Sequence, residues 1–292
     1  MPEDASFRFL AVPARLSSFV EYLYCSHVPR GFASRVDAIR LPELEAQVVF
    51  AIEEGDDFPG GCWLGSGVRA CLFLQPGHLQ MVPIPGTIRE AVGASLRPAG
   101  LRVLLPKGAG SLVDTPRIAL EDLWGAEARE LLQRLVAEVS AERRCAVLRD
   151  HLLNRVRLVA PPSRAVVEAV ELIRRSYGEL SGEQLAQSLG CTSRTLRSAA
   201  VAETGLTPKQ LARVTRIRHA LNLLTATGVA LSEAALAAAF SDQAHMSREF
   251  RELIGAAPSV LSQRLRSSLP SFTAERDLIS TGLLVVPKPG NP

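Results

Sequence analysis

The sequence predicts an α+β chain: a β-rich N-terminal domain with a helical segment, followed by an all-α domain of two helix-turn-helix units joined by a linker helix. Three observations carry that expectation. Between Pro13 and Arg102, short apolar runs are separated by Gly, Pro and Asp clusters, the pattern of strands joined by turns. From Leu120 onward the apolar residues change to helical spacing. Near the carboxyl end one segment repeats imperfectly, so that Gly205 and Pro208 answer Gly255 and Pro258, and Leu196 answers Met246. A repeat constrains architecture before any detail is read.

At 292 residues the chain is long enough for two domains with cores of their own. The expected divisions are 1–160 for the β-rich domain and its helices, 163–269 for the helical domain and 270–292 for a tail. In the first of these, the runs 47–52, 68–74, 78–84 and 87–96 read as strands. The acidic stretch 53–57 is expected to solvate a turn, and His78 to be a structural turn histidine. Ala128, Leu131, Leu132, Leu135, Val136 and Val139 then form one amphipathic stripe, and Leu148, Leu152, Leu153 and Val156 a second. These stripes either pack on the β domain or pair across a dimer. Pro161 and Pro162 mark the linker.

Ser181 and Gln184 have capping-box spacing and open a short helix carrying Leu185, Ala186 and Leu189. Gly190 and Cys191 make the turn, and Thr192 caps a second helix with Arg194, Leu196 and Arg197. Thr207 and Gln210 form another capping box, with Pro208 at the first helical position of a linker helix reaching about Leu224. Leu211, Val214, Ile217, Leu221 and Leu224 keep helical spacing there; Arg213, Arg216 and Arg218 are either a solvated face or phosphate contacts. A short alanine-rich helix follows, with Ser232 expected as its cap. Then comes Phe240–Pro258, the stretch the rest is organised around. Ser241 is expected to cap a helix starting at Asp242, in which Met246, Phe250, Leu253 and Ile254 gather on one buried stripe. Ala244, Ser247, Arg248 and Arg251 fall on the opposite side, with His245 on the flank and Gln243 at the tip. Gly255 ends that helix. Beyond Leu269 only the apolar run 283–286 stands out, in a tail expected to be mobile or to lie as a lone strand on another surface.

Charge says less. The net charge is only +3; residues 163–269 carry 13 Lys/Arg against 9 Asp/Glu, or +4, which leaves −1 for the remainder. Nearly every cation is arginine, which suits phosphate and guanine recognition as well as it suits a GC-rich genome. There is no run of eighteen apolar residues and no basic-plus-apolar leader, so a cytoplasmic protein without membrane association is expected. Cys25, Cys62, Cys71, Cys145 and Cys191 are scattered without a Cys-x-x-Cys pair, which reads as free thiols. Cys25 and His27 have no second pair to complete a metal site, so no metal or cofactor is expected.

The stretch Phe240, Asp242, Gln243, His245, Arg248, Phe250, Arg251, Gly255 and Pro258 resembles the second DNA-reading half of the AraC/XylS family of bacterial transcription regulators. Ala239 replaces the glycine usual at the turn. Aligned to the family, the first unit departs further: Ser198 stands where an arginine is common, and Ala200 where a phenylalanine packs. The N-terminal half is similar, more weakly, to a sensor-type domain found in some members. Pro13, Leu16, Phe19, Val20 and Tyr22 carry that likeness, with Leu41-Pro42, Val92-Gly93, the run 97–100 and the run 120–125. Where such domains often have Pro-Asp-Gly, this chain has Pro42-Glu43-Leu44.

The resemblance implies a sequence-specific regulator whose second helix-turn-helix reads the major groove of double-stranded DNA. Arg248 suits a guanine O6/N7 edge, for about 1–3 kcal/mol of discrimination. Gln243, His245 and Ser247 would add polar contacts and Arg251 would meet phosphate; in the first unit the candidates are Arg194, Arg197 and the short Ser198. RNA polymerase, a small-molecule effector and a second copy of the chain are the other candidate partners. In the alternative reading the N-terminal domain binds a protein partner instead of a small ligand. An enzyme fused to a DNA reader is disfavoured, because no nucleophile–base signature, phosphate loop or zincin helix appears. The paired cysteines of a zinc-held methyl acceptor are missing as well.

Overall fold

The computed structural model describes residues 6–27, 36–40, 44–53, 68–73, 80–82, 88–105, 120–226, 229–268 and 283–287. Seven strands come first: β1 (Ser6–Leu10), β2 (Val20–His27), β3 (Val36–Arg40), β4 (Ala46–Glu53), β5 (Val68–Phe73), β6 (Gln80–Val82) and β7 (Ile88–Leu96). Five of them form an antiparallel sheet in the order β1-β2-β7-β4-β5. The register sets Leu23 beside Ala94 and Cys25 beside Val92 on one edge of β7, and Val48 and Phe50 beside the same two residues on the other. Alternation puts all of these on one buried face. On the opposite face Tyr24 lies across Gly93, where a Cβ would meet the tyrosine ring at 2.4 Å.

That buried face is covered by α1 (Leu120–Trp124), α2 (Ala126–Ala137) and α3 (Ala141–Val156), through Leu120, Trp124, Leu131, Leu135, Leu148 and Leu152. The two helical stripes therefore pack on the sheet. They do so only in part, since Val136 and Val139 are 45% and 82% exposed: α2 ends at Ala137 and the chain turns before the stripe is complete. A 3-10 helix, Pro98–Val103, leaves β7 and is wedged against the turn before β2, with Arg97 N–H donating to the Phe19 carbonyl at 2.9 Å. Trp124 Nε1 and Arg155 Nε hold its end, donating to the Leu104 and Val103 carbonyls at 3.1 and 2.8 Å.

The strand runs expected at 47–52, 68–74, 78–84 and 87–96 correspond to β4 to β7; β1, β2 and β3 have no counterpart in the sequence reading. The acidic stretch beyond Glu53, and His78, lie outside the described residues. A second sheet has the order β6-β3-β8, where β8 (Leu283–Pro287) is the apolar run of the tail, paired antiparallel with β3 from Val36↔Pro287 to Arg40↔Leu283.

The helical part comprises α4 (Arg164–Arg175), α5 (Gly182–Ser188), α6 (Ser193–Thr204), α7 (Pro208–Ala226), α8 (Leu231–Ala237), α9 (Gln243–Ile254) and α10 (Pro258–Ser268). It has two cores, and α7 belongs to both. Leu211, Ala212 and Val214 close the first around Ala169, Ile173, Leu185 and Leu196. Ile217, Ala220 and Leu221 close the second around Phe240, Met246, Phe250 and Ile254. At 1.5 Å per residue, the 19 residues of α7 span about 28 Å, a strut between the two units. Leu44, just before β4, joins the first core, so the sheet and the first unit share apolar contacts.

Candidate nucleic-acid interface

Each reading helix begins where a side chain meets its open amides. In the first unit Ser181 accepts from Gln184 N–H at 3.2 Å while the Gln184 side chain accepts from Ser181 N–H at 2.8 Å. Thr192 accepts from Thr195 N–H at 3.1 Å and so starts α6. In the second unit the expected caps are displaced, by one residue at α9 and by two at α8. Asp242 in extended backbone, not Ser241, caps α9, its carboxylate accepting from His245 N–H at 2.6 Å. That bond, with further help from Arg248, holds the Asp242 carboxyl below its ordinary pKa. A carboxylate there also suits the positive end of the helix. Ser241 instead hydrogen-bonds His245 Nδ1 at 3.0 Å. Likewise α8 starts after Ala230 without a side-chain cap, and Ser232 lies exposed inside it.

Met246 and Phe250 are fully buried and Leu253 and Ile254 nearly so, which anchors α9 by its apolar stripe. Burying one such side chain contributes roughly 1.5–3 kcal/mol. Gln243, Ala244, Arg248 and Arg251 are exposed on the other side, with Ser247 half-buried. Among the described residues Arg248 makes no ion pair or hydrogen bond. The neighbour one turn on, Glu252, is taken by Arg213 of α7, 2.6 Å away. His245 is half-buried, edge-on to the Phe240 ring at 5.5 Å and bonded to Ser241 through Nδ1, so the turn itself uses it. In the first unit Arg194, Arg197 and Ser198 are all exposed on α6, while Leu196 and Ala200 point inward. The eight candidate residues thus lie on two helices, α6 and α9, on the sides away from the cores except for His245, which flanks the second core at Phe240.

Two of the three strut arginines, Arg213 and Arg216, form neither a solvated face nor a free phosphate-contacting set. Arg213 bonds Glu249 and pairs with Glu252, both on α9. Burial works against its charge, but those two carboxylates outweigh burial and raise its pKa. Arg216 donates to the Gly178 carbonyl at 3.0 Å and lies 5.8 Å from the Phe240 ring centre; burial lowers its pKa. Both arginines are spent inside the fold. No local pattern signals this, because Glu249 lies 36 positions from Arg213. Also unforeseen is a shallow cleft of about 360 Å³ where the starts of α5, α6 and α7 converge, lined in part by Ser193, Arg197 and Lys209. Among the described residues no cluster of three His, Cys, Asp or Glu side chains is placed to hold a metal ion, and no helix is long and apolar enough to cross a membrane.

Two helix-turn-helix units on a shared strut, each showing arginines on its second helix, define a DNA-binding module. The family model described as a helix-turn-helix domain matches residues 185–264. A probable AraC family transcriptional regulator from Rhodopseudomonas palustris CGA009 is 34% identical over 36% of this chain and 99% of its own, with a TM-score of 0.33. The C-terminal domain of AraT, a response regulator from Geobacillus stearothermophilus, is 22% identical over 39% of this chain and 96% of its own (TM-score 0.36). ToxT from Vibrio cholerae O395 is 10% identical over 89% of this chain and 96% of its own (TM-score 0.40). No curated protein matches the chain. On the helix-turn-helix match and the 34% identity, the chain belongs to the AraC family of DNA-binding transcription regulators.

Proposed function

We propose that the chain reads a specific operator mainly through α9, laid in the major groove, with α6 contributing less. The observation that carries this reading is Arg248: exposed, without an ion pair or hydrogen bond among the described residues, near enough to Asp242 only to favour its charge, and mounted above a buried stripe. Its guanidinium meets a guanine edge in two places. Gln243 and Ser247 supply further polar contacts, His245 offers only Nε2, itself 3.8 Å from Glu249, and Arg251 meets phosphate. On α6, Arg194 and Arg197 reach the DNA while Ser198 is too short to read a base as an arginine would. The N-terminal sheet and its helices serve as the sensing or dimerising part.

Duplexes recovered by the full chain from random-sequence DNA supply the operator. Arg248→Ala is expected to weaken operator binding more than Arg194→Ala, with non-specific binding changed little. Equal losses would refute the asymmetry, and a protein that ignored every duplex at low salt would end the reading. A rise in melting temperature on adding a metabolite pool would support effector sensing, since a ligand of the native state stabilises it by mass action.

A further inference from the structure

Arg213 lies on the strut and not on the reading face, yet it governs which charges remain on that face. Its Nε donates to Glu249, and its second guanidinium nitrogen lies 2.6 Å from Glu252. Both carboxylates belong to α9, one and four positions beyond Arg248. Released, Glu252 stands one helical turn from Arg248, the separation at which side-chain ion pairs form on a helix. Its side chain is 69% exposed and free to swing, whereas Arg213 and Glu249 are 20% and 19% exposed and fixed by packing. The next arginine along the strut, Arg216, is committed to the Gly178 carbonyl and the Phe240 ring.

We propose that Arg213 is a positioning residue for DNA reading: it draws Glu249 and Glu252 onto the strut and so leaves the Arg248 guanidinium free for a base edge. The inference rests on the reading of α9 given above. It makes Arg213 matter to specificity without touching DNA, and it assigns Glu252 the role of a competitor held out of reach. A lysine at 213 keeps a countercharge for the half-buried Glu249, but a single ammonium lacks the planar fork that holds two carboxylates at once.

The test uses the full chain and a duplex it selects from random-sequence DNA, with binding read by fluorescence anisotropy and folding by thermal melting. Arg213→Lys and Arg213→Met are each expected to weaken operator binding by about twofold, the worth of one competing ion pair a helical turn away. Adding Glu252→Gln to either should bring the affinity back to within about 1.3-fold of wild type, because a neutral amide does not compete for a guanidinium. In an Arg248→Ala background, Arg213→Lys should cost less than about 1.3-fold. Full-sized loss in that background, absence of rescue by Glu252→Gln, or no loss at all would each overturn the proposal. Should Arg213→Met fail to fold, the lysine variant decides alone. If Arg248→Ala binds like wild type, the reading of α9 fails; if it weakens binding while Arg213→Lys does not, only the role of Arg213 fails.

Discussion

Gly178 provides a quantitative check on how α4 meets the strut. It sits in left-handed backbone at φ +79°, and a Cβ there would stand 2.2 Å from the Ala212 carbonyl oxygen and 3.1 Å from Arg216 Cγ. Ordinary contact begins at 3.4 Å, so Gly178→Ala drives a methyl more than an ångström into the backbone of α7. The conformation alone costs an alanine about 1–2 kcal/mol. Relief of the overlap requires the end of α4 to slide from α7. That sacrifices the 3.0 Å Arg216–Gly178 bond, worth about 1 kcal/mol, and loosens the first core by a similar amount. The expected loss is therefore about 3–4 kcal/mol. Gly190→Ala is the control: φ is +63° and nothing lies within 4 Å of its Cβ, so only the conformational cost of about 1–2 kcal/mol applies. Urea unfolding followed by far-UV circular dichroism, with m unchanged, measures both. Equal losses at the two sites would refute the close approach of α4 to α7.

Ala239 occupies the turn between α8 and α9 at φ +57°; Ala239→Gly is expected to stabilise by about 0.5–1 kcal/mol, the relief of strain less the extra unfolded-state freedom of glycine, read from the same urea curves. His151 is held mainly by burial at a pKa of about 4, with Glu127 drawing it up and Arg155 and Arg134 pushing it down. Its folded pKa is depressed, so the unfolded chain binds the proton first: stability should be full above pH 6.5 and fall by up to about 3 kcal/mol as pH drops towards 4. Burial depresses His219 in the same direction, so His151→Phe should flatten that slope only in part, as pH-dependent melts would show. Glu203→Ala strands Arg102 and the Ser163 N–H at a buried contact and should cost about 2–4 kcal/mol in thermal melts, with Glu203→Gln losing less. Truncation after Ser268 removes β8, and hydrogen exchange should then show amides of β3 losing protection.

What was legible in the sequence is what is local. Three capping devices, at Ser181, Thr192 and Thr207, needed only a donor and an acceptor three residues apart, and all three form. Ser241 and Asp242 are adjacent candidates for the same task, and only the backbone angle shows which oxygen reaches the His245 amide. The apolar stripe of α9 follows from spacing alone. Strand β2 was missed because both of its faces carry large side chains: Leu23 and Cys25 turn to the core while Tyr22 and Tyr24 lie on the other face, so no alternation of apolar and polar residues marks it. Val139 erred in the other direction, keeping helical spacing two positions past the point where α2 stops. Arg213 looked like surface because its partners lie on another helix; no periodicity reports a contact across 36 residues.

The two reading units are held by different means, which bears on how a signal could separate them. In the first, the end of α6 is pressed on the 3-10 helix, where Glu203 accepts the Ser163 N–H with both oxygens at 3.1 and 3.0 Å and pairs with Arg102 at 3.4 Å. Arg174 of α4 pairs with Glu45, and Leu44 enters the same core, so this unit cannot shift against the sheet without exposing apolar surface and stranding two charges. The second unit rests on α7, through Ile217, Leu221 and the Arg213 contacts, and its core takes no residue from the sheet among those described. A disturbance in the five-stranded sheet therefore reaches α6 directly, whereas α9 is reached through the strut or through α10, against which β8 of the second sheet packs. On the proposal that α9 carries most of the base reading, a change in the five-stranded sheet would act first on the weaker reader, and would tune how well a complex anchored by α9 is completed with little change in the sequence recognised.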